Sequence, residues 1–366
     1  MRFPRFDMER MQSTWEHKIR YDLSESGVEA LTLEEITRDP KELMRTRLGY
    51  AEGVGREATR ALVASFHAGR MADDVVITTG TSEANFLALA TLVSTGDEVV
   101  VVMPNYMQVH GIATGMGARV REVWLREERG WTIDLDALRV AVNARTRVIC
   151  VCQPNNPTGQ ILSQGEVAEI VRVADRHGAW ILADEVYRGA ERSGEESPTF
   201  SARGERVMVT GGLSKVYGLP GLRIGWLVAP AERVEAALEI KDYTTIAPAT
   251  ISEVLAEIAL ERRKQLLERA RFLINERWPM LEDWAGGHSR ELHWTAPAAG
   301  AISFFSYKYP IDSLALVDRL IREYSTMIVP GIHFRAERHL RIGFGMVPRV
   351  LHSGLAAIDR LLTSLD

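Results

Sequence analysis

The sequence predicts an α/β fold with a mainly parallel sheet covered by helices on both faces, joined to a smaller α+β domain. Between residue 74 and about residue 240, short runs rich in Val and Ile alternate with longer amphipathic stretches, which is typical of a buried parallel sheet with crossover helices. Five of these runs are followed by a polar, turn-rich stretch. The length of 366 residues, with 46% hydrophobic and 25% charged residues, suits two globular domains.

Each element of the sheet region has its own signal. Short apolar, β-branched runs predict strands at residues 75–79, 98–103, 147–152, 180–183, 206–210 and 223–228. Apolar residues at helical spacing predict helices at 82–94, 107–116, 164–177 and 231–241. Ligands of such sheets bind beyond the carboxyl ends of the strands, which is where the five polar stretches lie.

The C-terminal part is predicted as a second domain. A long, charged helix is expected at 249–284, followed by strands at 291–296, 301–307, 327–329 and 340–345 and helices at 312–324 and 347–362. We expect a large domain at residues 41–285 and a small domain at 286–366. Residues 1–40 should pack on the small domain and cover the substrate.

Composition and spacing exclude several classes of protein. Lys plus Arg total 44 against 49 for Asp plus Glu, a formal charge of −5, so the basic surface of nucleic-acid binders is not expected. No apolar run approaches the roughly 20 residues of a spanning helix, and the N-terminus is too charged for a signal peptide.

Cys150 and Cys152 are expected as reduced thiols, because alternate residues of one strand do not easily bridge. The nine histidines have no metal-ligand spacing. We therefore expect a cytoplasmic protein without membrane, nucleic-acid or metal partners.

Lys215 and Asp184 are the leading catalytic candidates. Lys215 follows a predicted strand, in GGLSKVYGLPGLRIGW, and can form a Schiff base with a carbonyl cofactor, although most lysines are solvated surface groups. Asp184 ends the apolar strand of WILADEVY, where burial requires a cationic partner. A helix cap or a salt bridge explains Asp184 alone equally well. Together the two match what proteins contribute to pyridoxal 5′-phosphate (PLP), a Schiff-base lysine and an acid at the pyridinium nitrogen.

A phosphate site is predicted where TTGTSEANFLALATL passes from a strand through Gly80 into a helix. Helix N-termini bind anions, and Thr81 and Ser82 offer backbone N–H groups and hydroxyls there. Helix capping by the same residues is the alternative, and the two are compatible. Arg223, eight residues after Lys215, adds a cation that binds phosphate through two hydrogen bonds.

Three further loop residues are candidates for contact with the cofactor ring. Asn156 in QPNNPTG and Tyr187 in DEVYRG are placed to bind a phenolic oxygen. Tyr106 in MPNYMQ is expected to stack on the ring, and we count it among the catalytic residues. Each alone is more often structural, since Asn, Pro and Gly dominate turns. Their recurrence at successive strand ends favours the functional interpretation.

The motifs resemble those of class I/II aminotransferases, PLP enzymes of fold type I, over about residues 48–345. The resemblance implies a seven-stranded sheet and an aldimine between PLP and Lys215, which then serves as the base. It implies that Asp184 and Tyr187 are the family's D-x-x-Y pair and that Asn156 is the asparagine of N-P-T-G. Arg223 takes the position of the phosphate-binding arginine.

The same resemblance assigns three residues that their own chemistry does not single out. Tyr50, in YAEGVGREATRAL, matches a tyrosine that reaches the phosphate of the neighbouring subunit, which implies a homodimer. Arg341, in LRIGFG, matches the arginine that binds the substrate α-carboxylate, and Gly27 lies in the segment that covers the substrate. Asn156 is also expected at the substrate. Gly212 departs from the family, because Ser or Thr often stands three residues before the lysine.

The resemblance implies an aminotransferase that moves the α-amino group of an amino acid to a 2-oxo acid. Two segments, LSESGVEALTLEEI and VPGIHFRAERHLRIGFGMVPRVLHSGLAAI, are similar to a branch that includes capreomycidine synthase. Elimination, replacement or cyclisation of an arginine-derived amino acid is therefore the alternative. A catalytically silent binding module is a third hypothesis, which the presence of Lys215 and Asp184 disfavours. Glu25 is the candidate partner of a cationic substrate, with Glu29 as competitor, unless it caps a turn or faces water.

Overall fold

The computed structural model describes residues 2–37 and 39–365. Positions 1, 38 and 366, which belong to the predicted N-terminal segment and small domain, lie outside the described residues. The strands are β1 (Tyr21–Asp22), β2 (Val75–Thr78), β3 (Glu98–Met103), β4 (Arg119–Arg126), β5 (Thr132–Ile133), β6 (Thr146–Cys152), β7 (Trp180–Asp184), β8 (Val207–Gly212), β9 (Gly225–Val228), β10 (Leu292–Trp294), β11 (Ile302–Tyr307), β12 (Thr326–Met327), β13 (Val329–Pro330) and β14 (His339–Gly343). The α-helices are α1 (Asp7–Trp15), α2 (Leu33–Ile36), α3 (Pro40–Met44), α4 (Glu57–Ala64), α5 (Thr81–Leu92), α6 (Gln108–Gly115), α7 (Leu135–Ala141), α8 (Gln164–His177), α9 (Ala231–Lys241), α10 (Thr250–Glu261), α11 (Arg263–Gly287), α12 (Ser313–Tyr324) and α13 (Pro348–Thr363).

The central sheet has eight strands in the order β2-β9-β8-β7-β6-β3-β4-β5. Strands β3, β4, β6, β7 and β8 pair in parallel, whereas β9 is antiparallel to both of its neighbours. The predicted mainly parallel sheet is confirmed. It has one strand more than the predicted seven, because the two residues of β5 fold back antiparallel on the end of β4.

Burial explains which strands the sequence pattern predicts. Strands β2, β3, β7, β8 and β9 are buried along their whole length, so both faces are apolar and the runs are continuous. In β3, for example, Val100 and Val102 belong to one hydrophobic cluster, and Val99 and Val101 to the other. Strand β4 lies near the sheet edge and is partly exposed. Its charged residues hide its strand character, and the sequence pattern therefore does not predict it.

Local capping explains the limits of helix α8, which agree with the prediction. Helix α8 begins after Ser163, whose side chain and that of Glu166 form a capping box, and it ends at Gly178, which has φ of 68°. Both are standard helix signals. The single long helix predicted at 249–284 is instead two helices, α10 and α11. They are separated at Arg262, where φ and ψ of −100° and 18° leave the helical region.

The C-terminal part forms a four-stranded antiparallel sheet in the order β10-β11-β14-β13. The predicted strand 327–329 is divided into β12 and β13. Strand β12 pairs in parallel with β1, with Tyr21 opposite Thr326, so the N-terminal segment contacts this part of the chain. The domain limits after residues 40 and 285 stay predictions.

The direction of the strands brings the predicted loops to one edge of the central sheet. Because β3, β6, β7 and β8 are parallel, and β2 has the same direction through β9, their carboxyl ends share that edge. The loops after these strands carry Gly80, Tyr106, Asn156, Tyr187 and Lys215. Within the described ranges, no helix is both long and apolar enough to cross a membrane.

Candidate active site

A cavity of about 280 Å³ lies at this edge of the sheet, below helix α1 and the segment at residues 23–28, which we call the lid segment. Ten residues singled out from the sequence line it: Glu25, Thr81, Ser82, Tyr106, Asn156, Asp184, Tyr187, Lys215, Arg223 and Arg341. A larger groove of about 890 Å³, beside α1 and α12, contains none of them.

The side chain of Lys215 forms an ion pair with the lid segment. Its Nζ donates to Glu25 Oε1 at 2.8 Å, and the same oxygen accepts from the backbone N–H groups of Ser26 and Gly27 at 2.8 and 2.9 Å. Although burial opposes ionisation of Glu25, the Lys215 ammonium and these hydrogen bonds lower its pKa to about 2. Burial also opposes the charge of Lys215, but Glu25 leaves the pKa of the lysine above its usual range. Both groups are therefore charged at neutral pH.

Asp184 lies at the floor of the cavity in a network of buried hydrogen bonds. Its Oδ2 accepts from Asn85 Nδ2 at 2.9 Å, and its Oδ1 accepts from the Val186 backbone N–H at 3.1 Å. Asn85 Oδ1 in turn accepts from the Thr210 hydroxyl at 2.8 Å. Burial raises the pKa of Asp184, against the effects of Asn85, Val186 and Lys215. A cation placed beside this carboxylate would reverse that shift.

A chain of hydrogen bonds links Arg341 to Tyr187. Arg341, on β14, is 1% exposed, and its Nη1 donates to Asn156 Oδ1 at 2.9 Å. Asn156 Nδ2 donates to the Tyr187 hydroxyl at 3.1 Å, and that hydroxyl donates to Ser26 Oγ at 2.8 Å. Arg341 Nη2 also donates to the Ser24 carbonyl oxygen. Among the described residues, none accepts a hydrogen bond from Arg341 Nε, and an anionic group in the cavity would satisfy it.

The backbone at the start of α5 forms a tight cradle. Gly80 has φ of 76°, and a Cβ there would lie 2.5 Å from Arg223 Nη2, so the guanidinium packs directly on the glycine. The first N–H groups of a helix have no partner within the helix, which leaves those of Thr81 and Ser82 for a ligand. The Thr81 hydroxyl donates to the Gly211 carbonyl oxygen at 2.9 Å. The donor that Thr81 keeps for a ligand is therefore its own backbone N–H.

Gly212, the departure from the family pattern, contacts this cradle. A Cβ at Gly212 would lie 2.5 Å from Thr81 Oγ1. The Thr81 hydroxyl therefore occupies the space into which a serine or threonine side chain at position 212 would project, which gives a physical reason for the glycine.

Helix α1 closes the cavity on the side of Tyr106. The Tyr106 hydroxyl donates to Glu9 Oε1 at 2.7 Å, and Glu9, Gln12 and Glu16 also line the cavity. Burial, together with the Glu9 carboxylate, raises the pKa of Tyr106 well above its usual range, so the phenol stays protonated.

Three predicted residues lie outside the cavity lining, and one of them, Gly80, belongs to the cradle at the start of α5. Gly27 packs on Lys215, since a Cβ there would lie 3.3 Å from Lys215 Cα. Tyr50 is 93% exposed, and this single chain does not bring it to the other site residues. Glu29, the competitor of Glu25, does not line the cavity and pairs with Arg277 Nη2 at 2.8 Å.

Sequence reasoning missed three contacts of the site. Asn85 lies four residues after Thr81 in α5, so it occupies the same helix face, and this spacing is a signal that points to it. Ser26 and Glu9 have no comparable local signal, because their contacts span 161 and 97 residues.

The arrangement fits PLP in its donor chemistry. A glycine cradle at a helix N-terminus suits a phosphate, and a buried carboxylate suits a ring nitrogen that carries a proton. A lysine whose ammonium projects into the same cavity suits an aldehyde, and the unpartnered Nε of Arg341 suits the carboxylate of an amino acid.

Comparison with known proteins agrees with this geometry. The family model described as aminotransferase class I and II matches residues 20–358. Capreomycidine synthase from Streptomyces vinaceus is 34% identical over 348 residues, 93% of this chain and 89% of that protein. A PLP-dependent aminotransferase structure from Streptococcus suis has a TM-score of 0.95 at 30% identity, covering 100% of this chain and 99% of that one. The PLP-dependent cyclase OrfR has a TM-score of 0.92 at 28% identity, with coverage of 100% and 98%.

The fold and the site thus define a PLP-dependent enzyme of fold type I. The chain belongs to the class I and II aminotransferase family, and its cofactor is PLP. The resemblance found in the sequence, including the branch with capreomycidine synthase, is confirmed. An aminotransferase and a cyclase are both among its relatives, so membership of the family leaves the reaction type open.

Proposed function

We propose that this protein is an aminotransferase that moves the α-amino group of an amino acid to a 2-oxo acid. The observation that carries the proposal is that Lys215, Asp184 and Arg341 line one cavity of about 280 Å³. Transamination requires one group that removes a proton from the substrate Cα and returns it to the cofactor, and Lys215 is that group in this proposal.

Arg341 and Asn156 orient the substrate in this proposal. The Arg341 Nε–H, for which the described residues supply no acceptor, donates to the substrate carboxylate, and Asn156 Oδ1 holds the guanidinium by accepting from Nη1. Because Arg341 is buried, its charge is little screened by water, and the carboxylate is held in one orientation. This orientation directs the Cα–H bond toward Lys215.

Asp184 and Tyr187 act on the cofactor side. When bound, PLP supplies a ring that accepts the electrons released at the substrate Cα. Asp184 keeps a proton on the ring nitrogen, and Asn85 holds the carboxylate in place for that role. The Tyr187 hydroxyl and the Asn156 amide supply hydrogen bonds for the phenolic oxygen. Thr81, Ser82 and Arg223 bind the phosphate.

The second candidate is elimination, replacement or cyclisation of an arginine-derived amino acid. Its support is the 34% identity to capreomycidine synthase, together with the carboxylates of Glu9, Glu16 and Glu25 around the cavity, which suit a guanidinium. Loss of a β-substituent also requires a proton donor. The Lys215 amine, which lines the same cavity, is able to carry that proton once the substrate has released it from the cofactor, so the same residues serve either reaction.

Single-turnover spectroscopy separates the two reactions. The holoenzyme is mixed with one amino acid in the absence of any 2-oxo acid, and the absorption band of the lysine-bound cofactor is followed. Transamination converts the cofactor to its amine form, so the band disappears and returns only when a 2-oxo acid is added. A band that returns by itself while the amino acid is consumed identifies elimination or cyclisation and refutes the aminotransferase proposal.

We also propose a cytoplasmic homodimer. Tyr50 is almost fully exposed, and Leu48 and Tyr243 are exposed as well. A second copy that covers these apolar side chains would bring Tyr50 to the phosphate of the neighbouring site and make two equivalent sites across a two-fold axis.

A further inference from the structure

Three consecutive residues of the lid segment contact three different functional residues. The Ser24 carbonyl accepts from Arg341, Glu25 Oε1 accepts from Lys215, and Ser26 Oγ accepts from the Tyr187 hydroxyl. These are the groups proposed above for the substrate carboxylate, the cofactor aldehyde and the cofactor phenolic oxygen. The lid segment therefore uses the hydrogen-bonding groups that ligands require, and its contacts must be exchanged when ligands bind.

We propose that Glu25 is a positioning residue that controls the protonation of Lys215 and thereby the pH at which the lysine captures PLP. Only a neutral amine has the lone pair that attacks an aldehyde carbon. The Lys215 ammonium must first lose one proton to solvent. The nitrogen then forms a double bond to the aldehyde carbon, and the aldehyde oxygen leaves as water with the two remaining nitrogen protons.

The charges around Lys215 come from three parts of the chain. Glu25 on the lid segment is the anion in direct contact, and Asp184 on β7 is the second carboxylate whose charge interacts with the lysine. Arg341 on β14 is the opposing cation, and Tyr187, after β7, is a neutral phenol at neutral pH. Because the Glu25 carboxylate is 2.8 Å from the Lys215 ammonium, its electrostatic effect on the lysine is larger than that of the more distant groups. It therefore favours the protonated lysine, which cannot attack the aldehyde.

Capture of the cofactor removes the charge that holds Glu25. Lys215 then carries no ammonium, while Glu25 Oε1 keeps the backbone N–H groups of Ser26 and Gly27. The Glu25 carboxylate then loses the lysine ammonium as its partner. A positively charged substrate group, or the lysine when turnover releases it from the cofactor, can take the place of that ammonium. Glu25 thus links the lid segment to the covalent state of Lys215.

The test is the rate at which the full-length apoprotein captures PLP between about pH 7 and 11, a range that extends past the ordinary lysine pKa, followed by the absorption band of the lysine-bound cofactor. In Glu25→Gln, the amide keeps an oxygen for the two N–H groups but removes the charge. Since an opposite charge in contact shifts a pKa by roughly 1–3 units, the midpoint of the pH–rate profile should fall, with capture at least about tenfold faster below it. Glu25→Asp restores the charge and should move the midpoint back toward that of the wild type.

Glu29→Gln is the matched control, because Glu29 is in the same N-terminal stretch but pairs with Arg277. It should leave the midpoint unchanged. An unchanged midpoint in Glu25→Gln, or an equal shift in Glu29→Gln, would overturn the proposal, since a loosened lid segment would then explain any change in rate. The proposal rests on Lys215 as the PLP lysine, and a covalent adduct mapped to another lysine would contradict that assignment separately.

Discussion

Replacing Asp184 by Asn is expected to abolish most of the activity while the protein stays folded and binds PLP. The amide is neutral and does not hold a proton on the ring nitrogen. Loss of one preorganised electrostatic contact typically lowers kcat by about 10²–10³-fold, and we expect a loss of that size. The measurement is the single-turnover rate of Cα proton removal, followed by the cofactor absorption after mixing with substrate.

The expected cost in stability follows from the hydrogen bonds of Asp184. The amide introduced by Asp184→Asn would keep an oxygen for the Val186 N–H, but its NH₂ would face the NH₂ of Asn85. A flip of the Asn85 amide relieves this conflict, because the hydroxyl of Thr210 then accepts instead of donating, but it gives up the 3.2 Å hydrogen bond from Asn85 Nδ2 to Gln108 Oε1. The free energy of unfolding should therefore fall by only ~1 kcal/mol, the low end of the cost of a buried unpaired group. Adding Thr210→Val removes the acceptor and should raise the loss to ~2–3 kcal/mol.

Glu185→Gln is the matched control for Asp184→Asn. Glu185 is the next residue and is equally buried, but it accepts hydrogen bonds from Phe200 and Thr199 and does not line the cavity. Its substitution should leave the single-turnover rate within a few-fold of wild type. A near-normal rate in Asp184→Asn would refute the role of the protonated ring nitrogen in this enzyme, and an equal loss in Glu185→Gln would attribute the effect to packing.

Four further predictions concern the lysine, the dimer, the substrate and the pH dependence of stability. Borohydride reduction followed by peptide mapping should find the pyridoxyl adduct on Lys215, and an adduct on any other lysine would contradict the mechanism. The holoenzyme should sediment as a dimer, and an active monomer would show that Tyr50 is misassigned. Catalytic efficiency should be higher for arginine than for glutamate or an aromatic amino acid, and Glu25→Gln but not Glu29→Gln should remove this preference; if it persists, Glu25 does not bind the side chain. Burial raises the pKa of Glu185 from 4.5 to about 7, so the folded state holds this proton more tightly than the unfolded state. As the pH rises from 4.5 through 7, the wild type should lose up to about 3 kcal/mol of stability that Glu185→Gln does not lose, which urea unfolding at a series of pH values would measure.

The elements of the central sheet could be predicted from sequence because their burial is continuous along the chain. Strands buried on both faces have uninterrupted apolar runs, and their parallel direction brings the following loops to one edge. This is sufficient to bring Lys215, Asp184 and Asn156 together from local patterns alone. Strand β4 was not predictable in this way, since its partly exposed, charged residues interrupt the apolar run.

The contacts above the sheet depend on a different kind of information. The pair of Glu25 with Lys215 spans 190 residues, and the bond from Arg341 to Ser24 spans 317. No periodicity or motif encodes such pairs, because they depend on the long-range pairing of β1, which lies directly before the lid segment in the chain, with β12. The sequence therefore indicates that Glu25 carries the charge needed to bind a cationic group. That this group is Lys215 in the ligand-free protein, and not a substrate, is visible only in the folded chain. Under these two proposals, substrate preference and PLP capture are coupled through the Glu25 carboxylate, and a substitution of Glu25 should change both.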